Sequence, residues 1–177
     1  MRREAGEYIL GSVRRWARDD TTGTLQRGPQ VVADGPPAGD AAGHRLSPHT
    51  ADWMIEAWGP DRLSCLVDAL KALVEVFAEP TEEAVPFASP LSVDAATDAE
   101  MLVALFEEVI YLADVFAVVP VRFELAESED GGVNGRLEVV PATATEPVGP
   151  IPKAVSYHNL EMGEEGGVWR CRVVVDV

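Results

Sequence analysis

The sequence predicts an α+β fold, in which two helices pack on a mainly antiparallel sheet. Two segments repeat apolar residues at helical spacing, and the segments around them alternate as strands do. The second half of the chain is a run of strand patterns separated by glycine-containing turns. The predicted order is therefore strand, helix, edge strand, helix and then several strands.

The chain divides into an N-terminal extension, residues 1–43, and one domain, residues 44–177. Residues 19–43 are rich in glycine and proline and have little periodicity, which is typical of a linker or loop. Residues 1–18 hold apolar residues near helical spacing. We expect a flexible extension, with a minor docking element and an upstream start-site artefact as the alternatives.

The domain opens with a predicted strand over residues 53–58. Gly59, Pro60 and Asp61 end this strand and begin a helix. One face of the helix is apolar, at Leu63, Leu66, Val67, Leu70, Leu73, Val74 and Phe77. Residues 82–93 contain two prolines, so a strand there is short or lies at a sheet edge.

The second predicted helix follows Asp94, and Thr97 or Asp98 caps it. Its inner stripe is Leu102, Leu105, Phe106, Val109, Leu112 and Ala113. The next predicted strands cover residues 119–125 and 136–140, with turn chemistry at Asp130-Gly131-Gly132 and Asn134-Gly135. Residues 141–152 hold four prolines and are predicted to be a loop, and two final strands cover residues 154–162 and 168–177.

The net charge of −16 lies entirely in residues 44–177, which hold eight Lys and Arg against 24 Asp and Glu. A phosphate backbone should repel this domain, so we expect no direct, tight nucleic-acid binding. A basic protein surface, such as the RNA groove of another enzyme, is the more natural partner; the general alternative is that acidity only maintains solubility.

No apolar run approaches the ~20 residues of a membrane span. The N-terminal apolar run is too short for a signal peptide, which predicts a cytoplasmic protein.

A divalent-cation site is predicted where the first and last strands of the domain would meet. Asp52 opens the first strand, and Asp176 and Val177 close the last. Hard cations prefer such oxygen ligands. Because side chains alternate along a strand, Val177 would contribute only main-chain or terminal oxygens, and Glu56, ~13 Å from Asp52, would be solvated or paired instead. The alternatives are a turn or cap role for Asp52 and a frayed terminal charge for Asp176.

Three further residues are candidates for supporting this site or for contacting a partner. His49 lies three residues before Asp52 and would orient the site as a hydrogen-bond donor, or it is an ordinary satisfied histidine. Lys153, one of two lysines, would form an ion pair with Glu161 or Asp114, or contact a phosphate. His158 indicates acid–base chemistry only if a nucleophile is near.

The sequence gives no sign of an activated nucleophile or a phosphate-binding loop. It has no Gly-x-Ser-x-Gly, GxGxxG or Walker pattern. Cys65 lies in a helical pattern and Cys171 in a strand pattern, and we expect two buried free thiols. His44, at the domain edge, is expected to be solvated.

Residues 44–177 resemble the archease family. The resemblance rests on His49-Thr50-Ala51-Asp52 with Glu56-Ala57-Trp58-Gly59, Glu107 to Leu112, Pro120 to Phe123, Lys153-Ala154-Val155-Ser156-Tyr157-His158, and the final Asp176-Val177. It implies an archease-like fold built on a strand–helix–strand–strand unit. It also implies a divalent cation, typically calcium, bound by Asp52, Asp176 and Val177.

The resemblance further implies a role without catalysis of its own. Archeases promote guanylylation and multiple turnover of the GTP-dependent tRNA-splicing RNA ligase, which joins 2′,3′-cyclic-phosphate and 5′-hydroxyl RNA ends. Trp53-Met54 and Pro152 depart from the family pattern, and residues 1–43 have no assignable counterpart. One alternative function is a chaperone-like or scaffolding module for RNA-modifying enzymes. The other is a small metal-dependent phosphoesterase, and the lack of a recognisable nucleophile in the sequence argues against it.

Overall fold

A computed structural model describes residues 42–49 and 52–177; residues 50–51 and residues 1–41, which are most of the predicted extension 1–43, lie outside the described part. In chain order the elements are β1 Gly43–His49, β2 Asp52–Gly59, α1 Arg62–Glu75, β3 Ala78–Pro80, β4 Phe87–Val93, α2 Asp98–Phe116, β5 Val118–Glu127, β6 Val133–Pro141, a short 3₁₀ turn Ala142–Ala144, β7 Thr145–Pro147, β8 Ala154–Glu165 and β9 Val168–Asp176.

The strands form antiparallel sheets, with the orders β1-β2-β9-β8, β4-β6-β5 and β3-β7. Helix α1 packs against β2 and β5, and α2 packs against β8 and β5. The buried side chains of the helices and of the inner sheet faces form one core cluster. The predicted α+β fold, with two helices on mainly antiparallel strands, is confirmed. Neither described helix combines the length and apolar character needed to cross a membrane.

Both helices begin near the predicted positions, and a side chain caps each of them; the cap at Thr97 is one of the two predicted for α2. The Asp61 carboxylate accepts hydrogen bonds from the Ser64 main-chain nitrogen at 2.8 Å and from the Ser64 hydroxyl at 2.7 Å. Thr97 Oγ1 accepts from the Glu100 nitrogen at 3.2 Å. Ala117, at φ 51°, adopts the left-handed conformation that ends α2. The proline-containing strand β4 is at a sheet edge, as predicted.

Three parts of the fold differ from the sequence prediction. Strand β1 and the pair β3-β7 were not predicted, because two of these strands have three residues and β1 buries only Leu46 among its described side chains. Asn134-Gly135 lies inside β6 and is no turn. A Cβ on Gly135 would collide with the Glu124 carbonyl oxygen, so this glycine permits close approach of β5 and β6.

His44 is half-buried and holds β1 against α1, so its expected solvated position is wrong. Its Nε2 lies 3.1 Å from Glu75 Oε2, and its Nδ1 lies 3.5 Å from Asp68 Oδ1. Lys71 Nζ approaches the same Asp68 oxygen at 3.4 Å. The hydrogen bond to Glu75 raises the pKa of His44 above its usual 6.5, and outweighs burial, which opposes the charge.

The elevated His44 pKa predicts a pH-dependent stability. The protonated imidazole is favoured in the folded state, so its contribution is complete below pH 6.5 and is lost as the pH rises through the folded-state pKa. We expect His44→Gln to destabilise the protein more at pH 6 than at pH 9, as measured by urea unfolding. Thr143→Gln, at an exposed residue whose side chain does not titrate, is the control and should give the same difference at both pH values. An equal effect of His44→Gln at both pH values would contradict this assignment.

Candidate metal centre on the four-stranded sheet

The sheet β1-β2-β9-β8 has one face toward the core and one face away from it, here called the outer face. Ile55, Ala57, Val173 and Val175 point toward the core and are buried. Because successive strand residues alternate in direction, Asp52 and the other even-numbered residues of β2 point to the outer face. The functional candidates therefore belong to the outer face.

Asp52 and Asp176 are direct partners in the antiparallel pairing of β2 with β9. Residues opposite each other in such a pair share one face, with Cβ atoms about 4.5–5.5 Å apart. The structure thus brings the two predicted acids together at one end of the sheet. That they bind a metal stays a prediction.

The electrostatics of this acid pair favour a cation. Asp52 is half-buried and Asp176 is exposed, and no ion pair joins either carboxylate to a basic side chain among residues 42–49 and 52–177. Like charges directly opposite in a sheet destabilise it. A divalent cation between the carboxylates would offset that repulsion.

The donor set fits a hard cation that keeps open positions. Within the described residues no group of three or more His, Cys, Asp or Glu is arranged to hold a metal. The predicted set has only two acids, with Val177 supplying main-chain oxygen. The Asp176 main-chain oxygen accepts a hydrogen bond from the Lys153 nitrogen at 2.8 Å. Calcium takes six to eight oxygens, so water or a partner's groups would complete its coordination.

The supporting candidates occupy different surroundings. The His49 main chain pairs with Asp52 across β1 and β2, and its side chain lies outside the described atoms. Lys153 is exposed and directly precedes β8. Its predicted ion pair is absent from the part of the chain that the structure describes, and Glu161 instead lies 3.7 Å from Arg172 Nη1.

His158 lies in a bulge of β8. Ser156 pairs with Val174 and Glu161 with Arg172, so β8 advances five residues while β9 advances two. Asn159 adopts a left-handed φ of 58°, and the His158 nitrogen donates to Ser156 Oγ at 3.2 Å. The bulge leaves Tyr157 66% exposed beside His158. The regular alternation of the sequence gave no signal for this bulge.

A charged row missed by the sequence analysis crosses the outer face about 13 Å from the acid pair. Arg45 Nε donates to Glu56 at 2.9 Å, and Arg172 Nη2 donates to Glu56 at 3.1 Å. Burial alone would raise the pKa of Glu56, but the hydrogen bonds from the two arginines lower it. Glu56 is therefore a paired residue, as predicted, and has no part in the metal set.

A groove on the outer face and two buried cysteines complete the surroundings of the charged row. A groove of about 700 Å³ beside the charged row is lined by side chains of both signs, including Arg170 and Glu164. Cys65 and Cys171 are buried free thiols, as predicted. The hydrogen bond between them and burial raise the pKa of Cys65. This thiol is therefore protonated at neutral pH and a poor nucleophile.

The predicted domain, residues 44–177, is similar to proteins of a known family. Residues 44–177 match the model of the Archease protein family. The "Probable protein archease" of Mycobacterium tuberculosis is 38% identical over 161 residues, covering 91% of this chain and 89% of the relative. The "Protein archease" of Pyrobaculum neutrophilum is 27% identical, covering 78% of this chain and 98% of the relative.

Two solved structures share the fold. The solution structure of Methanobacterium thermoautotrophicum protein 1598 matches with a TM-score of 0.57 and 20% identity, covering 76% of this chain and 99% of that one. The crystal structure from Thermotoga maritima, described as an archease and possible chaperone, matches with a TM-score of 0.51 and 23% identity, covering 73% and 93%. At these identities the likeness concerns the fold alone.

Because Asp52 and Asp176 repel each other, removal of one of the two charges is expected to raise the stability of the metal-free protein. In metal-free buffer Asp52→Asn should stabilise the protein by about 0.2–1 kcal/mol, because it removes the cross-strand repulsion. Added calcium should raise the melting temperature of the wild type and leave that of the variant nearly unchanged. Thermal unfolding in EDTA and in calcium measures both effects.

Glu164→Gln, which neutralises an exposed acid of β8 away from the pair, is the matched control and should keep the calcium response. A variant Asp52→Asn that is less stable without metal, or that responds to calcium like the wild type, would contradict the proposed electrostatics.

Proposed function

This chain belongs to the archease family, and we propose that it is a non-catalytic activator of a GTP-dependent tRNA-splicing RNA ligase. Its proposed action is to promote guanylylation and multiple turnover of that ligase. Family membership, from the family model and the 38% identical relative, supports the proposal. The single observation that carries it is the facing of Asp52 and Asp176 across β2 and β9.

The proposed cofactor is a divalent cation, calcium by preference. The Asp52 and Asp176 carboxylates would hold it, with main-chain oxygen from Val177. Both acids belong to hydrogen-bonded strands, so the sheet fixes their backbone positions before any partner arrives. When bound, the cation supplies positive charge and open coordination positions for oxygen atoms of the partner.

The proposed partner surface is the basic cleft in which the ligase binds RNA. The acidic domain complements such a cleft in charge, which favours rapid association and makes it sensitive to salt. In this arrangement the acid pair, at the end of the outer face, is the part that reaches the ligase's reacting groups. In this proposal the chain itself forms no covalent bond with either RNA end.

A chaperone-like role is the second candidate function. The Thermotoga maritima structure with this fold is described as a possible chaperone. Such a role would involve several RNA-modifying enzymes and would not require Asp52. Binding to unrelated enzymes that survives Asp52→Ala would therefore favour the chaperone over the ligase activator.

The direct test is RNA ligation under multiple-turnover conditions with a GTP-dependent ligase from the same organism. We expect wild-type protein to increase both ligase guanylylation and the number of turnovers. Asp52→Ala and Asp176→Ala should each reduce the stimulation at least tenfold while the circular dichroism spectrum is preserved, because each removes half of the charge that would hold the cation.

Glu164→Ala, which removes an exposed acid of the same sheet, should stimulate like the wild type. Normal stimulation by both aspartate variants would contradict the proposed mechanism, and no stimulation by the wild type would contradict the proposed function.

A further inference from the structure

Helix α2 carries an outward-facing strip of residues that the proposed metal centre does not use. At 100° per residue, its members fall within an arc of about 120°. We call this strip the α2 outer face; it consists of Glu100, Ala104, Glu107, Glu108, Tyr111, Asp114 and Val115. The opposite side of the helix, including Phe106 and Val109, is buried in the core.

Two large apolar side chains lie side by side on the α2 outer face. Tyr111 is 48% exposed and Val115, one turn later, is 53% exposed. The Tyr111 ring packs edge-on against Phe116, with ring centroids 5.4 Å apart and an interplanar angle of 87°. This contact holds the exposed tyrosine in place, and a fixed aromatic ring is a good anchor because little side-chain entropy is lost on binding.

The charged side chains that α2 itself carries beside these apolar residues are all negative. Helix α2 contains no Lys or Arg. None of Glu107, Glu108 and Asp114 forms an ion pair with another described residue. Asp114 lies in the last turn, where the helix dipole disfavours an anion. The helix thus keeps uncompensated charges that a basic partner would neutralise.

The negative charges of the α2 outer face determine which kind of partner can bind there. A second copy of the chain, docked symmetrically, would place the same acids against each other. Anionic lipid surfaces and nucleic-acid backbones would be repelled. A protein surface with Lys or Arg around an apolar depression satisfies both the charge and the exposed Tyr111 and Val115.

We propose that the α2 outer face is a docking surface for a basic patch of the ligase, separate from the acid pair of the outer sheet face. This inference rests on the proposed function, because it takes the ligase as the partner. It assigns affinity to α2 and stimulation to Asp52 and Asp176. The two sets of residues should therefore fail in different ways.

The test is a double variant, Glu107→Lys with Val115→Ser, compared with a matched double variant, Glu82→Lys with Val85→Ser. Both pairs are exposed, and both variants change the net charge by the same amount. Binding of purified ligase is measured by calorimetry, and stimulation is measured as a function of protein concentration. The α2 variant should bind at least tenfold more weakly. It should still reach wild-type stimulation at saturating concentration.

The Glu82/Val85 variant should bind and stimulate as the wild type does. Unchanged ligase binding by the α2 variant would overturn the inference while leaving the proposed function intact. A wild-type dimer in light scattering that the α2 variant converts to monomer would also overturn it, in favour of a second copy as the occupant. A wild type that neither binds nor stimulates the ligase would overturn both proposals.

Discussion

The register between β2 and β9 is the constraint on which the rest of this structure depends. It places Ile55 opposite Val173 on the core face and Asp52 opposite Asp176 on the outer face. A slip of one residue would turn the buried side chains outward. Burial of one such side chain contributes about 1.5–3 kcal/mol, whereas a cross-strand like-charge pair costs a few tenths to about 1 kcal/mol. Core packing therefore holds the two carboxylates together against their own repulsion.

The outer face of this sheet carries two rows of charged side chains that differ in their partners. In the row through Glu56, each carboxylate has an arginine partner, so the row joins the strands. In the row through Asp52 and Asp176, the negative charges have no basic partner in the described chain. Compensated charge thus stabilises the sheet, and uncompensated charge at its end remains available for a cation or a basic partner.

Local sequence patterns predicted the parts of the fold that local interactions determine. The helix starts near Asp61 and Thr97 were predicted from the residues at those positions. In the structure each of these two side chains accepts a hydrogen bond from the backbone nitrogen three residues later. The row of Arg45, Glu56 and Arg172 could not be predicted, because it depends on the register of strands that are far apart in sequence. The β8 bulge was missed for the same reason, since it appears only when β8 is aligned with β9. The pairing of Asp52 with Asp176 was anticipated as a hypothesis, and the strand register gives it a geometry.

Calcium binding by the two aspartates, analysed as a double-mutant cycle, tests the central claim most directly. Calorimetry would compare the wild type with Asp52→Asn, Asp176→Asn and the double variant. If both carboxylates hold one ion, each single variant should lose most of the affinity and the double variant should lose little more, with stoichiometry of one in the wild type. Strictly additive losses, or a wild type that binds no calcium, would contradict the account.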